Sequence, residues 1–188
     1  MKEFIRNTLL SKISLVTVLA ILLTGCASVS VKSVKDSSYD KSIHKLFVIL
    51  NHTQVDNVDP NYTPYLLKAL HDEFEKEKIE VSLNVIRPLS LSNQSFDSEI
   101  ANYKPDGILT ILANGGVSSG GGGLLSIYYD VSVFDAPTEK RIWRARIDAS
   151  GGTAIREKRM AIMAQKLVHH LKEEKLISSK PNKVRAAI

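Results

Sequence analysis

The sequence lacks the residues that several common folds and functions require. Cys26 is the only cysteine, so a folded domain cannot contain an internal disulfide, and its stability must come from core packing. The longest mostly apolar run, residues 13–23, is too short to cross a bilayer core, which needs about 20 residues. The five histidines show no zinc-binding spacing, so we expect no metal site and predict surface or helix-edge positions for His44, His52, His71, His169 and His170.

The charge distribution does not indicate a nucleic-acid-binding protein. The formal net charge is +5, but the first 12 residues contribute +2 and the residues after 174 contribute +4. Residues 26–174 therefore carry about −1 and lack the basic surface of a nucleic-acid binder. We interpret the basic tail, residues 178–188, as a solvated end; contact with anionic headgroups or cell-wall polymer is the alternative.

Residues 1–25 have the organisation of a secretory signal peptide. A basic start precedes the apolar run, and small residues follow it. The end of this segment resembles the lipobox of bacterial lipoproteins, with Leu23, Thr24, Gly25 and Cys26 at the matching positions. The resemblance implies cleavage before Cys26, a diacylglyceryl group on its sulfur and an N-acyl chain. No other cofactor is expected.

Lipidation of Cys26 would determine where the protein resides. One acyl chain gives only marginal binding, whereas two or three make membrane residence nearly permanent. Ala27, rather than aspartate, follows the cysteine. By resemblance to Gram-negative lipoproteins, and given such a source, this favours the periplasmic face of the outer membrane.

Residues 26–44 are rich in serine and have no strong core pattern. We interpret them as a tether that begins at the lipidated cysteine. As a flexible coil, about 17 residues would span roughly 20–25 Å, which keeps the domain near the membrane. The alternative is that "SVSVKSV", residues 28–34, pairs as an edge strand.

From residue 45 to residue 177 the hydrophobic pattern predicts a single α+β domain with an α/β-like start. The predicted order is β-α-β-α-β-loop-β-β-α, in one mixed sheet packed by helices. Right-handed crossovers would make the first three of these strands parallel. Thr63 followed by Pro64 predicts the N-cap and first turn of the first helix.

The last two strands are predicted to form a hairpin, since apolar residues alternate along both. Pairing Val133 with Trp143 would set Asp130 across from Arg146. This alternation places Trp143 in the core, rather than on a stacking platform with its flanking arginines. In a separate polar loop, Asp56 and Asp59 are expected to form turns and cap a helix rather than bind a cation.

A glycine-rich stretch contains a formal match to G-x-S-x-G, the motif that holds the nucleophilic serine of α/β-hydrolases. The competing hydrolase hypothesis therefore uses Ser118, with Asp130 or Asp148 as the acid and His169 or His170 as the base. A nucleophile elbow needs a helix directly after the serine, whereas four glycines and a predicted strand follow here. We predict a flexible connection between strands; the alternative is a partner-binding loop comprising Gly116, Ser118, Ser119, Gly120, Gly121, Gly122 and Gly123.

Two segments carry a resemblance to a group of small envelope lipoproteins: "YKPDGILTI" and "YYDVSVFDAPTEKRIWRARI", followed by an amphipathic helix. The group includes the N-terminal domain of the Tol-system propeller protein and lipoprotein activators of penicillin-binding proteins. The likeness covers about residues 45–176 and implies an α/β domain that binds other proteins and is not an enzyme. The activators use a long linker, whereas the tether here is short.

The sequence therefore predicts a lipid-anchored, non-enzymatic accessory module of an envelope complex. Its expected partners are the membrane and an envelope protein, with no nucleic acid and no small-molecule cofactor. The alternatives are the serine hydrolase and a structural envelope lipoprotein without a specific partner.

Overall fold

The part of the chain that the structure describes contains a six-stranded sheet and four helices. The computed structural model describes residues 27–56, 59–86, 96–118 and 123–178. The strands are β1 (Ser28–Lys35), β2 (Lys45–Asn51), β3 (Glu80–Val85), β4 (Gly107–Ser118), β5 (Leu124–Asp135) and β6 (Arg141–Ser150). The helices are α1 (Thr53–Asp56), α2 (Tyr62–Lys76), α3 (Asp97–Tyr103) and α4 (Arg156–Glu173), and a 3₁₀ turn (Thr153–Ile155) precedes α4.

The sheet is mixed, with the strand order β1-β6-β5-β4-β2-β3. β2 is parallel to both β3 and β4, whereas β4, β5, β6 and β1 are antiparallel neighbours. This confirms the mixed sheet packed by helices and the parallel arrangement of the first three predicted strands. The predicted hairpin register is also confirmed, since Val133 pairs with Trp143 and Asp130 pairs with Arg146.

β1 corrects the interpretation of residues 26–44 as a tether. Ser28–Lys35 pairs with β6 along its whole length, and Val29 is only 3% exposed. The strand is held from the helical side as well, because Lys166 of α4 donates to the carbonyl of Val29. The edge-strand alternative is therefore the correct one for this segment.

The core lies between the sheet and one helical layer. α2 and α4 pack against each other and bury apolar residues at helical spacing, among them Leu66, Leu70, Met163 and Leu167. α3 lies on the opposite side of the sheet, where Phe47 of β2 contacts its aromatic residues. Within the described ranges, no helix has both the length and the apolar character to cross a membrane.

The start of α2 differs in detail from the prediction. The helix begins at Tyr62 after Asn61, so Thr63 is a first-turn residue and not the N-cap. Its hydroxyl instead donates to Asp56 Oδ2 over 2.6 Å. The side chain of Thr63 thus connects α2 to α1.

The glycine-rich stretch begins as a strand and not as a loop. Gly116 and Ser118 belong to β4, where Gly116 pairs with Ile127 and Ser118 pairs with Leu124. The register shifts after Ala113, and Gly115 has φ +105°, a conformation that a residue with a Cβ rarely adopts. Residues 119–122 of the candidate loop lie outside the described residues, and Gly123 directly precedes β5.

Gly116 lies so close to β5 that we expect it to tolerate no side chain. A Cβ at this position would lie 2.3 Å from the carbonyl oxygen of Ser126, a backbone atom with little freedom to move. We expect Gly116→Ala to lower the free energy of unfolding by about 1–3 kcal/mol.

Gly152→Ala is the matched control, because a Cβ there meets no atom within 4 Å and the backbone has φ −64°. It should leave stability unchanged or raise it by about 0.4–1 kcal/mol. Urea titration of both variants measures the difference. Equal stability of the two would contradict the close approach of β4 and β5.

Candidate functional site

One face of the antiparallel half of the sheet is not covered by any described helix. α2 and α4 occupy the other face, and α3 covers the β2 region through Phe47–Phe96 and Phe47–Tyr103 ring contacts at 6.0 and 5.9 Å. An antiparallel sheet can leave one face in water, and its side chains then alternate between core and solvent. We call the uncovered surface the open sheet face; its residues are Ser30, Lys32, Val34, Tyr128, Asp130, Ser132, Arg144, Arg146 and Asp148.

The centre of the open sheet face is a shallow cavity of about 310 Å³ with mixed charge. Arg146 Nε lies 3.4 Å from Asp130 Oδ1, and Asn114 Nδ2 donates to Asp130 Oδ2 over 2.5 Å. Asp148 Oδ1 accepts hydrogen bonds from two serine hydroxyls, Ser126 at 2.7 Å and Ser150 at 2.8 Å. Both carboxylates are therefore already partnered within the sheet.

A second cavity of about 390 Å³ continues along β1 and β6. Lys32, Val34 and Arg144 line it, and Val34 is 64% exposed. Lys32 and Arg144 form no ion pair with any described residue, in contrast to Arg146. This part of the face thus combines an exposed apolar side chain with two unpaired cations. The pattern suits contact with a surface that carries carboxylates.

Behind the sheet, a buried arginine joins both helices of the core layer to the strands. Arg159 of α4 is fully buried, and its Nη1 donates to the carbonyls of Leu124 at 3.1 Å, Leu125 at 3.2 Å and Gly151 at 2.9 Å. Its Nη2 donates to the hydroxyl of Tyr62 in α2. The guanidinium therefore satisfies acceptors from β5, from the end of β6 and from α2 at once.

Sequence reasoning missed Arg159, although a signal was present. Arg159, Met163, Leu167 and Leu171 recur every four residues, so the arginine occupies the first position of the apolar stripe of α4. A charge in that position requires internal acceptors, since an unpaired buried charge is costly.

A second buried polar group lies at the carboxyl end of β2. His52 is fully buried, which corrects its predicted surface position. Because Thr63 gives its one hydroxyl proton to Asp56, its oxygen accepts from His52 Nδ1 at 3.0 Å. His52 Nε2 lies 2.8 Å from the hydroxyl of Tyr129, which also donates to Met160 Sδ at 3.4 Å. Burial lowers the pKa of His52 to about 4, so the ring is neutral at pH 7.

The carboxyl group of Asp56 at the end of this chain is only partly buried, with its side chain 25% exposed. Desolvation raises its pKa, against the hydrogen bond from Thr63, which lowers it. Asp59, by contrast, has the turn role predicted for it: its Oδ1 accepts from the backbone and side chain of Asn61. It also pairs with Arg156 at 2.8 Å. The hydrogen bonds among His52, Thr63 and Asp56 connect the end of β2 to α1 and α2.

The structure does not bring the hydrolase residues together. Asp130 and Asp148 lie on the open sheet face, whereas α4, with His169 and His170, packs on the opposite face. Arg159 contacts Leu124, the pairing partner of Ser118, and the two histidines follow Arg159 by ten or more residues, about 15 Å along the helix axis. Ser118 is thus an exposed strand residue without a nearby histidine.

Three further predictions concern Trp143, a metal site and the lipobox. Trp143 is a core residue, as predicted, with its ring nitrogen donating to Glu174 at 3.0 Å. The described ranges contain no group of three His, Cys, Asp or Glu side chains that could hold a metal ion. The lipobox residues, Leu23 to Cys26, lie outside the described residues, so lipidation stays a prediction.

Comparison with known proteins identifies no sequence family. No family model matches the chain, and no curated protein matches it. Among solved structures, a PelC dodecamer from Paraburkholderia phytofirmans is similar with 11% identity and a TM-score of 0.46, covering 74% of this chain and 97% of that chain. Lipoprotein GNA1162 from Neisseria meningitidis is similar with 12% identity and a TM-score of 0.31, covering 69% and 98%. Both are distant likenesses.

The hydrogen bonds of Arg159 predict a large stability difference between two arginines of one helix. Arg159→Met should lower the free energy of unfolding by about 3 kcal/mol, since buried acceptors that lose their donor cost about 1–3 kcal/mol each. Arg156→Met removes only a partly exposed ion pair and should cost at most about 1 kcal/mol. Chemical denaturation measures both. Similar losses of stability in the two variants would contradict the role of the Arg159 hydrogen bonds in joining α4 to the sheet and to α2.

The buried neutral His52 predicts a pH dependence of stability. Its pKa is about 4 in the folded protein and about 6.5 in the unfolded chain, so between these values only the unfolded state is protonated. The contribution of neutral His52 to the free energy of unfolding is complete above pH 6.5, and it is lost as the pH falls towards 4. We expect a loss of about 2 kcal/mol between pH 7 and pH 5.

Denaturant titrations at the two pH values test this expectation. His52→Gln should flatten the dependence, whereas His71→Gln should not, because His71 is exposed on α2. Asp56 contributes with the opposite sign, since a raised carboxyl pKa favours the folded state as the pH falls. An unchanged slope in His52→Gln would show that His52 does not carry the effect.

Proposed function

We propose that this protein is a lipid-anchored accessory module of the bacterial envelope, without catalytic activity, and that its open sheet face binds another protein. The observation that carries the proposal is the uncovered half of the sheet with its exposed Val34 and two unpaired cations. The lipobox resemblance supports the anchor, and it supports an extracytoplasmic location on the periplasmic face of the outer membrane.

The shape and charge of the open sheet face favour a protein partner over a small substrate. Its two cavities are shallow and adjacent, and they share Lys32, Asp130 and Arg146, so they form one continuous surface. Small-molecule sites, in contrast, are concave and enclose most of the ligand. A broad surface with a polar rim and an apolar contact point is typical of protein interfaces.

The unpaired cations indicate the chemistry of that partner. Lys32 and Arg144 flank Val34 on β1 and β6, whereas Asp130 and Asp148 are already engaged by neighbouring side chains. A partner surface with carboxylates would pair with the two cations and cover the valine between them. We therefore propose an acidic protein surface as the ligand of this face.

The hydrolase alternative has little structural support, because Ser118 and the two histidines do not meet. A structural lipoprotein without a partner is the alternative that experiment must separate from the proposal. The two differ in one respect: a specific partner contacts defined residues of the open sheet face, and charge reversal there abolishes the contact.

Site-specific photo-crosslinking in cells tests the proposal. A photoreactive amino acid at Val34 should give one discrete adduct, whereas the same group at Glu75 should give none. Glu75 is a suitable control because its side chain is 75% exposed on α2, which packs on the other face of the sheet. Adding Lys32→Glu and Arg144→Glu should abolish the adduct at Val34, because like charges would then face each other.

Variants that keep the charge show whether loss of the adduct comes from the reversed charge or from a folding defect. Lys32→Arg and Arg144→Lys keep both positive charges and should retain the adduct. Absence of an adduct at Val34, or an adduct that persists after charge reversal, would contradict an acidic partner on this face.

A further inference from the structure

One end of the sheet brings together four strands and the residue next to the predicted lipid anchor. Ser28 pairs with Ser150, Ser150 with Ser126, and Ser126 with Val117, so these residues form a single row across β1, β6, β5 and β4. Neighbouring strands are about 4.8 Å apart, which places Val117 about 14 Å from Ser28 along this row. We call this row and the residues that flank it the anchor end of the sheet.

Cys26 is joined to the anchor end by a very short piece of chain. Only Ala27 separates it from β1, and two residues span at most about 7 Å. Ala27 is itself close to the sheet, since a Cβ on Gly151 would lie 3.3 Å from its Cα. The amide of Gly151 in turn donates to the carbonyl of Leu125 at 2.8 Å. A lipid on Cys26 would therefore hold the anchor end against the membrane surface.

The anchor end has the composition of a surface that contacts a membrane interface. Val117 is 48% exposed and Leu125 is 44% exposed, and both are large apolar side chains. The described segments that form this end contain no Asp, Glu, Lys or Arg, although these residues make up 24% of the chain; Asp148 borders them, and its Oδ1 accepts the hydroxyl protons of Ser126 and Ser150. The uncharged segments are residues 27–31, 115–118, 123–129 and 149–155.

The anchor end is also held in place from inside the protein. Arg159 binds the carbonyls of Leu124, Leu125 and Gly151, which lie at the start of β5 and just after the end of β6. The backbone that carries the exposed side chain of Leu125 is therefore already ordered, so contact with another phase costs little further backbone entropy.

We propose that the anchor end lies on the lipid surface that holds the acyl chains of Cys26, with Val117 and Leu125 inserted at the interface. This inference rests on the proposed lipidation. The apolar contact adds to the membrane affinity of the acyl chains and fixes the orientation of the domain. The strands then stand on the membrane, and the open sheet face points sideways, where it is accessible to a membrane-associated partner.

The test uses the lipidated protein in vesicles of phosphatidylethanolamine and phosphatidylglycerol. Because Cys26 is the only cysteine and its sulfur would be lipidated, a single new cysteine can be labelled with the fluorophore NBD. Val117→Cys and Leu125→Cys report on the anchor end. Val34→Cys is the matched control: it is an exposed valine of β1 about 20 Å from Ser28 along the strand.

We expect a blue-shifted emission, and loss of emission with doxyl-labelled lipid, for NBD at residues 117 and 125 but not at residue 34. Equal, water-like emission at all three positions in protein that floats with the vesicles would overturn the membrane contact while leaving the anchor intact. If the unlabelled protein does not float, or floats equally well as Cys26→Ala, the anchor itself is wrong and the inference fails with it.

Discussion

The hydrogen bonds of the buried Arg159 guanidinium hold the two-helix layer to one end of the sheet. A positive charge without water is costly, and here it is compensated by oxygen acceptors from three separate parts of the chain and by the ring of Tyr62, whose centroid lies 5.2 Å from the guanidinium carbon. Those acceptors belong to the start of β5, to Gly151 after β6 and to Tyr62 of α2. None of them can move far without leaving the charge unsatisfied. The two-helix layer and the end of the sheet are therefore fixed relative to each other.

This constraint connects the core to the proposed function. The backbone held by Arg159 contacts Ala27 through Gly151, so the folded domain begins directly beside Cys26. A flexible tether would allow the domain to rotate freely above the membrane. With β1 as a paired strand, a lipid on Cys26 instead sets one end of the sheet at the lipid surface and leaves the open sheet face to the side. If both proposals hold, the position of the anchor and the direction of the open sheet face are set by the same sheet.

The parts of the fold that were predicted correctly are those indicated by residues close together along the chain. The alternation around Val133 and Trp143 fixed the hairpin register, because a shift of one residue would expose the core face. For β1 the edge strand was only the alternative interpretation, because its serines resemble a linker and its partner β6 lies more than 100 residues away. His52 escaped prediction for a similar reason, since Tyr129, one of the residues that bury it, is 77 positions distant. Arg159 could have been found from its place in the apolar stripe, whereas the open sheet face follows only from where the helices pack.

We propose that the folded sheet starts next to Cys26, the predicted site of lipid attachment, with no tether between them. Amide hydrogen exchange of the membrane-bound lipoprotein tests it most directly, because the alternation of paired amides along β1 differs sharply from that of a free coil. We expect the β6-paired amides of Ser28–Lys35 to exchange slowly, with protection comparable to that of β6. Exchange of this segment at the rate of an unstructured chain, beside a protected β6, would contradict it.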